Sequence, residues 1–188
     1  MTSLDIGCGN LTSHTARGDV NLDLDPNPAI RPPNFVPGDA HNLPFENEHF
    51  THISFLEVIE HVENPSRCLR EIWRVLKPDG TLEVSTPNPT HWRRLLRHLL
   101  HMRLAVWKDH ISLWGREELE NLLESCGFKI EETDFVVVPE RQKYEKLSHR
   151  HIDTWVHRLS LCHALTGRSV RIVARKTFKS NSDEGAEF

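Results

Sequence analysis

Leu4-Asp5-Ile6-Gly7-Cys8-Gly9-Asn10 decides the reading of this chain. A short apolar-rich run ends there in two glycines separated by one residue, the way a buried parallel strand gives way to a tight phosphate- or nucleotide-type turn. Gly7 and Gly9 have no Cβ, so the backbone is free to take up positive φ and to approach a ligand closely. A dinucleotide fingerprint needs a third glycine or alanine at position 12, and Thr12 stands there instead. Asp5, two residues before the first glycine, puts a carboxylate where it can fix the loop through backbone amides or receive an ammonium group.

Around that stretch, 188 residues allow one domain with a sizeable core and not two comfortable ones. No run of 18 apolar residues exists, and no basic region followed by an apolar core opens the chain. Neither a membrane span nor a signal peptide is therefore expected, and the expected compartment is the cytoplasm. Cys8, Cys68, Cys126 and Cys162 form no Cys-x-x-Cys pair and read as reduced thiols rather than a disulfide frame or a zinc site. The net charge of -4 hides an asymmetry. Residues 1–63 carry 10 acids against 2 bases, whereas residues 64–178 carry 20 bases against 14 acids, net +6. The basic part suits an anionic acceptor or a solvated surface.

Further along, Asp19–Pro26 reads as a second short strand with Asp23 at its end, 18 residues beyond Asp5. An acid at that place, about 20 residues past a glycine turn, is positioned to accept hydrogen bonds from two ribose hydroxyls. Leu11–Gly18 allows barely two helical turns, and Pro26, Pro28, Pro32 and Pro33 exclude a helix before residue 35, so the opening crossovers are abbreviated. Phe50–Leu56 reads as a buried strand, Glu57–Val62 as a helical turn, and Asn64-Pro65 as a helix start carried by Cys68, Leu69, Ile72, Val75 and Leu76. Thr81–Thr86 is predicted as a strand after a Lys77-Pro78-Asp79-Gly80 turn. His91–Met102 is strongly amphipathic: Trp92, Leu95, Leu96, Leu99 and Leu100 share one face, with Arg93, Arg94, Arg97, His98 and His101 on the other. Arg116–Ser125 is a helix ended at Gly127, Lys129–Val138 a strand, residues 140–165 helical, and Ser169–Lys176 a closing strand. The alternation predicts an α/β fold with a mostly parallel sheet covered on both sides, the last two strands forming an antiparallel edge.

The set Leu4-Asp5-Ile6-Gly7-Cys8-Gly9, Asp23, Gly38-Asp39-Ala40, Leu43-Pro44-Phe45, Glu57-Val58-Ile59-Glu60-His61-Val62 and Leu69–Gly80 resembles the class I S-adenosylmethionine-dependent methyltransferases, in the branch usually called type 11. The likeness covers roughly residues 3–135. It implies a Rossmann-like seven-stranded sheet in the order 3-2-1-4-5-7-6, with the cofactor across the carboxyl ends of the strands and S-adenosylhomocysteine as product. By resemblance, Gly7, Cys8 and Gly9 pass beneath the methionine part and Asp5 helps hold its ammonium group. Asp23 and Leu24 lie at the ribose, Asp39 accepts from the adenine amino group beside the Ala40 amide, and the backbone of Phe55 and Leu56 lines the methionine side. Three departures stand out: Leu11 replaces the usual third glycine of the loop, Thr51 replaces the acid expected after Phe50, and Met1-Thr2-Ser3 enters the first strand directly. A single domain is expected over residues 1–178, with 87–114 and 139–165 as acceptor-side lid and 179–188 a disordered tail.

Methyl transfer from a sulfonium is an in-line displacement, so alignment in a dry site supplies much of the catalysis. A general base is needed only where the acceptor loses a proton, and His61, His91 and His110 are candidates by position, His61 and His110 foremost. Glu57, Glu60 and His61 fall at i, i+3 and i+4; with Asp109-His110 and Trp114 they resemble the pattern of two metal-dependent O-methyltransferase groups acting on small-RNA ribose and on quinone precursors. Glu57, Glu60, His61 and His110 are thus candidate ligands for a divalent metal such as Mg²⁺ or Mn²⁺. The expected acceptor is a small molecule, lipid-like or otherwise. RNA is the alternative suggested by the basic helix, although a base-stacking module is missing. A cofactor-binding but inactive partner subunit is a third reading, and a nicotinamide dehydrogenase fits poorly without the third glycine. The identity of the acceptor and the oligomeric state are not legible in the sequence.

Overall fold

Seven strands and three helices make up the described part of the chain, residues 2–8, 18–24, 34–100, 110–136 and 167–177 of the computed structural model. The strands are β1 (Ser3–Ile6), β2 (Val20–Asp23), β3 (Phe35–Pro37), β4 (Phe50–Leu56), β5 (Leu76–Pro87), β6 (Phe128–Val136) and β7 (Ser169–Lys176). They form one sheet in the order β3-β2-β1-β4-β5-β7-β6, the order the resemblance implies. The first five strands in that order run parallel, while β7 is antiparallel to both β5 and β6, and β6 forms the edge. Gly9, Leu11, Asp109, the second lid segment 139–165 with its expected helix, and the tail 179–188 lie outside the described residues.

Alternation along the strands sorts the sheet into two faces. Ile6, Phe55, Val84 and Ile172 stand in register on one face and are buried, as are Leu4, Ile53, Leu82 and Ala174 in the next row. Onto this face pack α1 (Pro65–Val75), through Cys68, Leu69, Ile72 and Val75, and α3 (Arg116–Ser125), through Leu119 and Leu123. The Trp73 indole N–H donates to the Gly127 carbonyl at 3.1 Å and ties the two helices together. The other face carries Asn21, Asp5, Ser54 and Glu83 in one row, with Arg171 donating to Glu83 at 2.6 Å. Asn21, Asp5 and Ser54 on this second face are buried as well, while among the described residues α1 and α3 both lie on the first.

Asn64 accepts from the Arg67 amide at 3.0 Å and caps α1, with Pro65 at its first turn. The Lys77–Gly80 turn signal is a bulge inside β5 rather than a break before it: Phe50 pairs with Leu76 and His52 with Thr81, so the extra residues loop out while pairing continues. Asp79 takes a left-handed φ of 59° there.

An ion pair on α1 holds the loop leading into the site. Arg74 grips both oxygens of Glu71 at 2.9 and 2.7 Å and also donates to the carbonyls of Leu43 and Phe45, while the Leu43 amide donates to Glu71. The Arg74 guanidinium holds the Glu71 carboxyl below its ordinary range. A depressed carboxyl contributes stability above its unfolded pKa and loses it as pH falls through the folded one. Glu71→Gln is expected to cost about 1–3 kcal/mol at neutral pH. In denaturant melts the gap between parent and variant should close as the solution is acidified below the carboxylate range; a gap constant with pH would remove the charge from the account.

Candidate functional site

The carboxyl ends of β1 and β2 open onto a cavity of about 410 Å³. Its walls include Gly7, Asp23, Leu24, Asp39, Ala40 and His61 from the sequence candidates, joined by His41, Val58 and Ile111. Gly7 takes φ +76°, and a Cβ built on it would overlap Val58 Cγ2, so the backbone here tolerates hydrogen alone. The Gly7 amide donates to the Leu22 carbonyl at 2.8 Å, which fixes the glycine turn against β2 and brings it beside Asp23. Asp5 and Cys8 are buried at the root of this turn, and burial pushes the Cys8 thiol up to about 11, so it stays protonated at neutral pH. Phe55 is fully buried in the core and Leu56 half-buried; these two, with Asp5 and Cys8, are not among the cavity walls.

Asp39 is held by His41, a residue with no role assigned from the sequence. Its Oδ1 meets the His41 amide at 2.9 Å and the His41 ring Nδ1 at 2.7 Å, and these contacts, the amide first, keep the carboxyl below its ordinary range. His41 Nε2 accepts from the Asn64 amide at 3.2 Å, so the neutral ring carries its proton on Nδ1 and links the Asp39 loop to the start of α1. A histidine two residues after the loop acid is the only trace of this in the sequence.

A second cluster stands beside the cavity. Glu57 does not open a helical turn, as its spacing predicts, but adopts a left-handed φ of 55° at the end of β4. Its amide donates to the Ser85 carbonyl at 3.0 Å and its carboxylate accepts from the Ser85 hydroxyl at 2.8 Å. Left-handed backbone in a residue with a Cβ costs about 1–2 kcal/mol, and these two bonds hold it. Glu60 is buried, with Oε2 accepting from Thr86 at 3.2 Å and Oε1 left without a hydrogen bond. Burial, helped by the nearby Glu57 charge, pushes its carboxyl up to about 7. The Glu60 carbonyl takes the amides of Ile111 and Ser112 at 2.8 and 3.2 Å, which folds the following segment back onto the site and sets His110 against His61, ring centroids 4.7 Å apart. Glu60, His61 and His110 each bring a ligand-capable atom within 4.8 Å of the others. Glu57, the fourth candidate ligand, is not part of this group. Ser85 and Thr86, a polar pair at the end of a buried strand, were not singled out in the sequence.

α2 (Trp92–Leu99) sits next to this cluster with its leucine side exposed. Leu95, Leu96, Leu99 and Leu100 are 46, 44, 74 and 58 % exposed, whereas Arg94 is half-buried and lies within electrostatic reach of Glu60. Buried His91 holds the start of the helix, its Nδ1 accepting from the Arg93 amide at 3.3 Å.

Comparison with known proteins agrees with this architecture. A family model described as a methyltransferase domain matches residues 1–133. A probable S-adenosylmethionine-dependent methyltransferase of Mycolicibacterium smegmatis is 27% identical over 147 residues, 69% of this chain and 52% of that protein. A demethylmenaquinone methyltransferase of Paenarthrobacter aurescens is 32% identical over 123 residues, 58% of this chain and 49% of that one. The chain thus spans about half the length of these curated relatives. The solved structure of a Thermotoga maritima S-adenosylmethionine-dependent methyltransferase, described as a possible histamine N-methyltransferase, superposes with a TM-score of 0.64 at 18% identity, over 94% of this chain and 82% of that one, and shares the fold. With a family match over more than half of its length and the 3-2-1-4-5-7-6 sheet, the chain belongs to the class I S-adenosylmethionine-dependent methyltransferases.

Proposed function

We propose that the cavity binds S-adenosylmethionine and that the protein transfers its methyl group to a hydroxyl of a small, lipid-like acceptor. The donor set suits the cofactor. Asp23 offers a bidentate acceptor for a ribose diol, Asp39 an acceptor for an adenine amine, and the bare Gly7 backbone a surface on which the methionine part can lie. Bound there, S-adenosylmethionine supplies an electrophilic methyl on a sulfonium.

The observation that carries the acceptor chemistry is the cluster of Glu60, His61 and His110, one of whose members, His61, is itself a cavity wall. A hydroxyl presented to the methyl must lose its proton as the new O–C bond forms and the S–C bond breaks, and these side chains stand ready to accept it. Leu24 and Ile111, walls of the cavity that are 70 and 63 % exposed, suit an apolar substrate at the mouth, in keeping with the demethylmenaquinone methyltransferase among the relatives. Incubation with labelled cofactor and phenolic lipids, catechols and ribose-terminated RNA is expected to label a phenolic lipid or catechol. The Glu60→Gln/His61→Ala variant should lose about a hundredfold in turnover while cofactor affinity stays within about twofold. Labelling of RNA alone, or turnover that survives both substitutions, would overturn the reading; binding without transfer to any acceptor would favour the inactive-subunit reading.

A divalent metal is a second reading, favoured by the buried Glu60 Oε1 that finds no hydrogen bond beside two imidazoles. Glu60, His61 and His110 would hold the ion, which would lower the acceptor hydroxyl's pKa. Elemental analysis of native protein and thermal melts with added Mn²⁺ test it. Saturable stabilisation in the parent, lost in His110→Ala, is expected; no bound metal and an unmoved melt would leave the side chains acting without an ion.

A further inference from the structure

We propose that α2 is a surface-docking element that seats its leucine face on an anionic bilayer, with Arg93 and Arg97 at the level of the headgroup phosphates. An amphipathic helix in a globular domain normally turns its apolar stripe inward. Here the orientation is inverted. On a wheel of 3.6 residues per turn, Trp92, Leu95, Leu96, Leu99 and Leu100 lie on one side, Arg93 and Arg97 border it, and Arg94 stands opposite. Arg94 is half-buried and within electrostatic reach of Glu60, while Leu95, Leu96, Leu99 and Leu100 are exposed, so the leucines point away from the protein body. The helix does not hang loose in that pose. Asn88 is buried and donates its side-chain amide to the Gly167 carbonyl at 2.8 Å, its backbone amide donates to the Arg168 carbonyl at 2.7 Å, and buried His91 holds the first turn.

The chemistry of the face selects its occupant. A leucine and tryptophan surface edged by arginines is the composition of a helix lying in a membrane interface, where apolar side chains enter the acyl boundary and the cations meet phosphates. A second copy of the chain fits less well, because a two-fold contact through this face would bring the arginine edges of both copies together. Ile111, a wall of the cavity, and Leu113 are 63 and 49 % exposed and add apolar surface on the segment bonded to the Glu60 carbonyl. Docking would bring the domain to the layer in which a lipid-like acceptor resides. That purpose rests on the acceptor reading above, but docking itself is measured without methyl transfer, so the two can fail separately.

Co-sedimentation of the full chain with vesicles tests the proposal, using phosphatidylcholine alone and phosphatidylcholine mixed with phosphatidylglycerol. The parent should pellet with the anionic vesicles and be released by salt. Arg93→Glu/Arg97→Glu should lower the partition by about tenfold or more and Leu95→Asp/Leu99→Asp should abolish it, both variants keeping the parent's melt and cofactor affinity. Five results would overturn the proposal. The parent could ignore both vesicles, or the leucine variant could bind as well as the parent. The leucine variant could unfold, which would make the face interior. A parent dimer dispersed by the same substitutions, or salt-sensitive RNA binding lost in the arginine variant without vesicle binding, would give the face to another partner.

Discussion

Asp23→Ala is expected to weaken S-adenosylmethionine binding at least tenfold, on the order of 1.5–3 kcal/mol for charge-assisted hydrogen bonds to a ribose diol. Asp23 ends β2 at the cavity wall, and the Gly38 amide donates to its carbonyl at 3.0 Å, so its backbone is fixed before any ligand arrives. The backbone that carries the carboxylate is thus set before binding, and removal of the side chain should appear as lost affinity with an unchanged melt. Calorimetry on parent and variant decides it. Unchanged affinity would take Asp23 out of the site.

Gly7→Ala should do more damage, because it strikes stability and binding together. The added methyl would overlap Val58 Cγ2 in a backbone conformation that L-residues avoid. Left-handed strain of about 1–2 kcal/mol and overpacking of about 1–3 combine to a loss of about 2–5 kcal/mol. For a chain of this length that corresponds to a fall in melting temperature of roughly 5–15 °C. Cofactor affinity should drop as well, since Gly7 floors the cavity. Val58→Ala opens space at the same spot, so the double variant should recover part of the stability while keeping the φ penalty; no recovery would mean that contact with Val58 is not the cause.

What the sequence made legible was periodicity and punctuation. β4 matches Phe50–Leu56, β7 matches Ser169–Lys176 and α3 matches Arg116–Ser125, because each has a clean apolar pattern and a local stop such as Gly127 at φ +90°. The misses share a cause, which is that local pattern does not say what a face will meet. The wheel of α2 shows two unlike sides, but only tertiary packing decides which of them meets the domain, and the leucine side is the exposed one. Spacing puts Glu57 with Glu60 and His61, yet the Ser85 hydroxyl on a neighbouring strand captures its carboxylate and turns the backbone left-handed. The bulge at Lys77–Gly80 likewise depends on pairing with β4, which local turn chemistry cannot announce. His41 reads as an ordinary loop residue until Asp39 and the Asn64 amide are brought to its two ring nitrogens.

The central claim is that the cavity at the ends of β1 and β2 is built for S-adenosylmethionine, with Asp23 and Asp39 as its polar contacts and the Gly7 turn as its floor. Titration calorimetry of S-adenosylmethionine into the full chain, repeated in the presence of S-adenosylhomocysteine and of NAD, tests it most directly. The account predicts one saturable site of micromolar strength, blocked by S-adenosylhomocysteine and indifferent to NAD. No saturable heat, or displacement by NAD, would contradict it.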